Sequence, residues 1–143
     1  MRIQFACLLL LSGTVVVCQI NYRYRNFINQ HVIGQMSAGR CDQVIQSRGI
    51  TKPDGNECKE TNSFIIAGTN LVRAICQDAG SPYAGGMTKS NQPFPIIVCS
   101  LRNQGGRRPH CQYRGQARTR YVVIQCENTF PVHLQGDIMS LEN

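Results

Sequence analysis

The first half of the chain repeats its apolar positions with the period of an α-helix. Between Tyr22 and Gln35 the pattern predicts an amphipathic helix, in which His31 follows Phe27 at i+4 and lies at the border of the apolar stripe. Shorter helical patterns cover residues 41–48 and 66–77. We therefore predict three helices in the N-terminal half.

The second half changes to short runs of β-branched residues. Phe94–Leu101 and Tyr121–Cys126 are bounded by Gly, Pro and Asn, which is typical of largely buried strands. Gln112–Thr119 is a candidate partner for Tyr121–Cys126, and residues 80–93 (GSPYAGGMTKSNQP) are predicted to form a flexible loop. Helices followed by strands indicate an α+β fold with an antiparallel sheet.

The N-terminus has the pattern of a secretory signal peptide. A basic start, Met1-Arg2, precedes an apolar stretch that runs to Val17, and Val16 and Cys18 fit the small-residue rule for the end of such a segment. We expect cleavage after Cys18, so that residues 19–143 form a single secreted domain. The apolar stretch is too short and too interrupted for a membrane span.

The cysteine count fits an exported protein. Eight cysteines are present, of which Cys7 and Cys18 belong to the predicted signal peptide. An even number remains in the mature domain, which predicts three disulfides with fifteen possible pairings, since the count does not choose among them. A zinc site is the competing interpretation, but the chain contains no CxxC pair and we expect no metal.

The charge is strongly positive. The whole chain carries +7, and loss of Arg2 with the signal peptide leaves +6. Such a surplus favours polyanionic partners, among them RNA, heparan-type glycans and anionic bacterial surfaces. The basic side chains of the second half are the candidates for this surface: Arg102, Arg107, Arg108, Arg114, Arg118 and Arg120. A solvated surface with no partner is the simpler alternative.

Two histidines and a lysine suit metal-free phosphodiester cleavage. A neutral imidazole can remove a proton from an attacking hydroxyl, and a protonated imidazole can donate one to the leaving oxygen. A cation such as Lys59 can stabilise the charge that accumulates on the phosphoryl oxygens. His31 and His133 are the candidates for the two imidazoles, whereas His110 lies in a Gly/Arg/Pro loop and is interpreted as solvated.

Three short segments carry a family resemblance. The segments 27-FINQH-31, 58-CKETNSF-64 and 131-PVHL-134, in this order with six mature cysteines, resemble the pancreatic-type ribonuclease (ribonuclease A) superfamily, in its three-disulfide, angiogenin-like branch. The resemblance spans essentially residues 19–143. It implies three helices packed on a twisted antiparallel β-sheet and no cofactor. It also implies disulfides that pair the first cysteine with the fourth, the second with the fifth and the third with the sixth: Cys41–Cys99, Cys58–Cys111 and Cys76–Cys126.

The resemblance assigns roles to the matching residues. His31 is expected to be the general base on the ribose 2′-hydroxyl, His133 the general acid for the 5′-oxygen, and Lys59 the transition-state cation. Gln30 is expected to contact the phosphate, and Ser63, in place of the family's threonine, to read a pyrimidine base. The remaining substrate-binding candidates are Asn62, Leu134 and Gln135.

The main departure from the family pattern lies beside His133. Gln135 replaces the aspartate that usually follows the histidine by two positions. A glutamine can orient an imidazole through a hydrogen bond but adds no negative charge, so we predict reduced activity. Gly136 has no side chain to obstruct the pyrimidine site, and the sequence leaves open whether residues 137–143 fold back over it.

Three biological roles remain open. The protein is expected to be a monomeric secreted endoribonuclease, a cationic antimicrobial protein that acts by charge alone, or an angiogenin-like growth signal with weak RNA cleavage. A leucine-rich-repeat ribonuclease inhibitor in the cytosol is a further candidate partner, because such inhibitors bind many relatives. The segment 46-QSRGIT-51 resembles an arginine cluster that angiogenin-like proteins use for nuclear entry, but with only Arg48 retained we do not assign that function.

Overall fold

The structure, a computed structural model, describes residues 12–139, with side chains from residue 21 onward. Over this range the helices are α1 (Ser12–His31), α2 (Cys41–Ser47) and α3 (Thr69–Ala74). The strands are β1 (Val32–Ile33), β2 (Thr61–Ile66), β3 (Gly80–Tyr83), β4 (Met87–Ser90), β5 (Phe94–Leu101), β6 (Tyr113–Glu127) and β7 (Phe130–Ile138). Two 3₁₀ turns, Ala38–Arg40 and Ala84–Gly86, complete the chain's regular structure here.

The strands form one sheet in the order β1-β2-β5-β6-β4-β3, with β7 paired to β6. Every neighbouring pair is antiparallel except β1 and β2, which are parallel. Strand β6 is long enough to pair with β5 through its first half and with β7 through its second half. The predicted α+β fold, with helices on an antiparallel sheet, is therefore confirmed.

Two buried clusters hold the helices against the sheet. One surrounds α2 and includes Ile45, Phe64 and the cysteines of two disulfides. The other lies under α1 and α3 and includes Phe27, Ile65 and Val72. Full burial of side chains of this size stabilises the fold by about 1.5–3 kcal/mol each. Because Phe64 and Ile65 are consecutive in β2, that strand faces both clusters.

Three disulfides cross-link the helices, loops and sheet. They join Cys41 to Cys99, Cys58 to Cys111 and Cys76 to Cys126. These are the pairs that the resemblance implied. The bridge at Cys58 fixes the backbone next to Lys59, which places that residue immediately before β2.

The predicted bounds of the first and third helices were wrong. The first does not run from Tyr22 to Gln35, because Val32–Ile33 leave the helix after His31 and pair with Ile65–Ile66 of β2. Pairing with the sheet thus overrides a local pattern that would continue the helix. The helix predicted over 66–77 shrinks to Thr69–Ala74, because Ile66 is the last residue of β2.

Two predictions for the second half were also wrong. Residues 80–93 are not a loop, because β3 and β4 form an antiparallel hairpin there, and its turn includes Gly85 and Gly86 with positive φ. Gln112–Thr119 does not pair with Tyr121–Cys126, because both lie in the continuous strand β6. Gly115, within β6, lies against Ala38, whose carbonyl oxygen is 2.2 Å from where a Cβ would be.

The predicted signal peptide is only partly within the described range. Residues 1–11 lie outside it, and residues 12–18 belong to α1. Cleavage after Cys18 therefore remains a prediction. In the range 12–139, no helix is both long and apolar enough to cross a membrane.

Candidate active site

His31 is the last residue of α1 and is almost fully buried, with 9% of its surface exposed. Its Nδ1 lies 2.9 Å from the backbone carbonyl oxygen of Ser63 on β2. A carbonyl oxygen can only accept a hydrogen bond, so Nδ1 carries the proton and donates it. In the neutral ring Nε2 is then left with a free lone pair. This is the tautomer that a general base needs.

Burial also sets the charge of His31. It lowers the pKa of His31 from 6.5 to about 4, and the hydrogen bond to Ser63 offsets only part of that effect. The positive charges of Lys59 and His133 lower the pKa further. His31 is therefore neutral near pH 7, and both other candidate catalytic residues lie near enough to act on it electrostatically.

Lys59 is held by two side-chain amides. Its Nζ donates to Oδ1 of Asn62 at 2.8 Å and to Oε1 of Gln30 at 3.4 Å. An ammonium group has three N–H donors, so one remains available. Partial burial lowers the pKa of Lys59, although its usual value is so high that it stays a cation near neutral pH.

Asn62 connects β2 to the end of α1. It is 1% exposed, and its Nδ2 donates to the backbone oxygen of Gln30 at 2.9 Å. The same residue therefore orients Lys59 and fixes the residue before His31. The predicted site residues therefore lie in two adjacent hydrogen-bonded sets: Gln30, Lys59 and Asn62 in one, and His31 with Ser63 in the other.

Tyr113 is a part of the first of these sets that sequence reasoning missed. Its hydroxyl donates to the backbone oxygen of Lys59 at 2.6 Å, and its backbone N–H donates to Oδ1 of Asp42 at 2.7 Å. Burial, together with the Asp42 carboxylate, raises the pKa of the Tyr113 hydroxyl, so it remains a donor. No local signal marks Tyr113, because its partners are 54 and 71 residues away in sequence.

His133 lies on β7 and is exposed, opposite Gln125 of β6. The β6–β7 register shifts on both sides of this pair, between Val123 and Ile124 and again between Gln125 and Cys126. Such irregularities bend a strand and re-aim its side chains. Over residues 21–139, the side chain of His133 forms no hydrogen bond with Gln135 or any other protein group.

The start of β7 is fixed by contacts of the Phe130 ring with a guanidinium and a second aromatic ring, which the sequence did not reveal. Phe130 follows a turn whose residues, Asn128 and Thr129, have φ of 54° and 68°. The guanidinium of Arg73 lies 4.0 Å from the centre of the Phe130 ring, and the ring of Tyr24 lies 4.9 Å from it. Cation–π and tilted aromatic contacts of this kind stabilise by about 0.5–2 kcal/mol each. They join α1 and α3 to the strand that carries His133.

The other substrate-binding candidates occupy different positions. Ser63 is half-buried on β2, opposite Val98 of β5. Leu134 is half-buried and packs against the cluster under α1 and α3. Gln135 is exposed and falls between two paired positions of β7, because Leu134 pairs with Ile124 and Gly136 with Val123.

The six arginines proposed as a basic surface are divided between two places. Arg102, Arg107 and Arg108 are exposed in the loop between β5 and β6, and the other three project from β6. Among the latter, Arg120 forms an ion pair with Asp137 of β7 at 3.5 Å. Arg118 donates to Oε1 of Gln116 at 2.8 Å, and Arg108 makes a longer contact of 3.4 Å to the backbone oxygen of Gln46. Three of the six therefore make local contacts.

Groups of acidic, cysteine and histidine side chains that could hold a metal ion are absent from the part of the chain that the structure describes. The site is instead made of two imidazoles, an ammonium group and neutral amides and hydroxyls. Such a set can exchange protons and bind an anion.

Comparisons with known proteins show which family the chain resembles. The family model for pancreatic ribonuclease matches residues 22–135. "Ribonuclease-like 3" of Danio rerio is 40% identical over 124 residues, which cover 85% of this chain and 83% of that protein. "Angiogenin" of Mus musculus is 37% identical over 142 residues, or 94% of each chain.

Solved structures show the same fold. The X-ray structure of zebrafish RNase5 superposes with a TM-score of 0.78 at 44% identity, covering 82% of this chain and 95% of that one. The structure named RNASE ZF-3E gives a TM-score of 0.81 at 40% identity, covering 84% and 99%.

Proposed function

The chain belongs to the pancreatic ribonuclease family, and from that premise we propose that it is a secreted, metal-free endoribonuclease. It cleaves single-stranded RNA on the 3′ side of pyrimidines and produces a 2′,3′-cyclic phosphate. The observation that carries the proposal is the state of His31: buried, neutral near pH 7, and bonded through Nδ1 so that Nε2 is free.

In the first proton transfer, Nε2 of His31 takes the proton of the ribose 2′-hydroxyl. The oxygen attacks the adjacent phosphorus, and the bond from phosphorus to the 5′-oxygen breaks. His133, exposed on β7, gives its proton to that leaving oxygen. Each transfer contributes on the order of 10²–10⁴ in rate. DNA lacks the 2′-hydroxyl and is not cleaved.

Lys59 and Gln30 bind the phosphoryl oxygens during this step. Two of the three Lys59 donors are occupied by Asn62 and Gln30, which leaves one free to bind a phosphoryl oxygen. The Gln30 side chain accepts from Lys59 through its oxygen, so its NH₂ group can donate to the phosphate. Because the amides hold the ammonium in place beforehand, little reorganisation is needed as negative charge develops.

Ser63 reads the base. Its hydroxyl can both donate and accept, which matches the donor and acceptor pattern of either pyrimidine. The backbone carbonyl of Ser63 already holds His31. One residue of β2 therefore serves both the recognition of the nucleobase and the orientation of the general base. Leu134, adjacent to His133, supplies the apolar wall of the same pocket.

The cleavage rate is expected to be modest. The residue two positions after His133 is Gln135 and not a carboxylate. Gln135 also falls at an irregularity of β7. Without a negative charge to favour the imidazolium, His133 is a less effective proton donor. Activity is therefore reduced but not abolished.

A growth-stimulating role is a second candidate, favoured by the 37–39% identity to several proteins named angiogenin. In this role a weak ribonuclease would act on cells that take it up, with the exposed arginines of the loop between β5 and β6 binding anionic glycans. Loss of growth stimulation in a His133→Ala variant would indicate that cleavage serves the signal.

Cleavage of dinucleotides tests the proposal directly. We expect UpA to be cleaved and ApU to be resistant, with a 2′,3′-cyclic phosphate as the first product and no effect of EDTA. His31→Ala and His133→Ala should each lose most of the activity. Full activity in either variant, or a rate that depends on added metal, would overturn the mechanism.

A further inference from the structure

We propose that Arg48 is a positioning residue for His31, a role that rests on the proposed function of His31 as general base. Arg48 lies directly after α2, outside the group of residues that touch the substrate. It acts by fixing the end of α1, where His31 is the last residue.

The contacts of Arg48 surround His31 along the chain. Its Nη1 donates to the backbone oxygen of Asn29 at 2.9 Å and of Val32 at 2.8 Å, with a longer contact of 3.4 Å to that of Ile28. The last carbonyls of a helix have no partner within the helix and require one elsewhere. One guanidinium therefore satisfies the backbone on both sides of His31.

The connection is made in both directions. Nδ2 of Asn29 donates to the backbone oxygen of Arg48 at 3.1 Å. The segment after α2 and the end of α1 thus exchange hydrogen bonds, although they are 19 residues apart. Loss of one hydrogen bond would leave the others to connect the two segments, whereas loss of the guanidinium removes its three contacts with carbonyl oxygens at once.

Arg48 also contacts the strand that accepts the His31 hydrogen bond. Its guanidinium carbon lies 6.0 Å from the centre of the Phe64 ring, and Phe64 follows Ser63 in β2. The backbone of His31 and the carbonyl that orients its imidazole are therefore both adjacent to one side chain. A positive charge at a helix C-terminus is also favourable to the helix dipole, and here partial burial strengthens that interaction.

The shape of Arg48 matters as much as its charge. Its planar fork has five N–H donors, whereas a lysine ammonium is a compact group on a flexible stem. The contacts to the carbonyl oxygens all come from Nη1, at the far end of this fork. A lysine at this position would keep the charge, but its flexible ammonium would be held less firmly against these carbonyls and would lose the planar contact with Phe64.

An open cleft beside Arg48 makes the proposal testable by chemical rescue. The cleft has a volume of about 380 Å³ and is lined by Arg25, Ile28, Asn29, Val32 and Arg48. Truncation to alanine would enlarge it next to the orphaned carbonyls. Free guanidinium ion could then enter and occupy the place of the missing group.

The experiment compares Arg48→Ala with Arg25→Ala, a matched control that removes an exposed arginine from the same cleft. We expect kcat for UpA to fall at least about 10-fold in Arg48→Ala with KM nearly unchanged, because a displaced base slows the chemical step more than binding. Guanidinium chloride should restore part of that kcat, whereas sodium chloride at equal ionic strength should not. Arg25→Ala should keep the wild-type kcat and show no rescue.

Arg48→Lys guards against the possibility that the alanine variant does not fold. Its kcat should lie between those of Arg48→Ala and the wild type. Wild-type kcat in a folded Arg48→Ala, or in Arg48→Lys when the alanine variant is unfolded, would overturn the inference.

A second readout separates this inference from the proposed function. The NMR titration of His31 reports its environment whether or not RNA is cleaved. In Arg48→Ala we expect the His31 titration to move upward, toward the ordinary histidine value, because a loosened helix end admits water. An unchanged titration would contradict the role of Arg48 even if the wild type were inactive, and an inactive wild type with a shifted titration would contradict only the proposed function.

Discussion

The two histidines of the site are held in opposite ways. His31 is buried at a helix end, bonded to Ser63, and framed by Arg48, Asn62 and Gln30. His133 is exposed on a strand with irregular pairing, and its position depends on the path of β7. The proposed base, His31, is therefore fixed by the contacts around it, and the proposed acid, His133, by backbone geometry. We predict that substitutions at the two histidines have different consequences.

The largest expected effect separates base from acid by the leaving group. Both His31→Ala and His133→Ala should lose on the order of 10²–10⁴ in kcat/KM on UpA. With a uridine 3′-(4-nitrophenyl phosphate) substrate, whose leaving group needs no proton, His133→Ala should recover most of the wild-type rate. His31→Ala should not recover, because the attacking hydroxyl still needs a base. Equal recovery of both variants would contradict the assignment of roles.

A smaller loss is expected at Lys59. Lys59→Ala should reduce kcat by on the order of 10²–10³ with both substrates, because the cation stabilises phosphoryl charge whichever group leaves. Lys59→Arg is the matched control that keeps the charge and should retain more activity. Steady-state kinetics on the two substrates would check this, and a loss confined to UpA would argue that Lys59 serves the acid instead.

The burial of His31 should appear in the pH dependence of stability. Because the pKa of His31 is about 4 when folded and about 6.5 when unfolded, the unfolded chain binds the proton first as the pH falls. Above pH 6.5 this residue makes no difference to stability, and between 6.5 and 4 the folded state loses up to about 3 kcal/mol.

Urea unfolding of the wild type and His31→Asn across this range would measure the loss. The asparagine variant lacks the titrating group, so its stability should decline less on acidification. Because carboxylates titrate in both proteins, the informative quantity is the difference between their curves. Parallel curves would show that His31 is not buried in its neutral form.

The smallest effect is expected beside His133. Gln135→Asp should raise kcat/KM on UpA by a few-fold and move the alkaline limb of its pH profile upward, because a carboxylate favours the imidazolium. Gln135→Asn, which has the same shape without the charge, is the control. Gln135→Asp should have little effect on cleavage of the nitrophenyl substrate. An equal gain in kcat/KM on both substrates would indicate a change in binding.

The pattern of apolar side chains decided which strands could be predicted from the sequence. Phe94–Leu101 was predicted with its correct bounds because a buried central strand is apolar on both faces. The hairpin over residues 80–90 was missed because its side chains are small, polar and largely exposed, so no alternating pattern marks it. Likewise β6 was divided in two because its arginine-rich half has few apolar positions.

For the site, short segments revealed the residues that we propose act on the substrate, but not those that hold them in place. Gln30, His31, Lys59, Asn62 and Ser63 lie in two segments whose order resembles a known family. Arg48, Tyr113 and Phe130 act through contacts with residues distant in sequence, and nothing around them in the chain records those partners. Burial, which neutralises His31, is likewise a property of the fold and not of its helix alone.

The NMR titration of His31 in the free wild-type protein, with nitrogen-15 shifts to assign the tautomer, tests most directly whether His31 is a preformed general base. We predict a midpoint near pH 4, as burial lowers the pKa of His31 to about 4, and a neutral ring protonated at Nδ1. An ordinary midpoint near pH 6.5, or a neutral ring protonated at Nε2, would contradict the claim that His31 is a preformed general base.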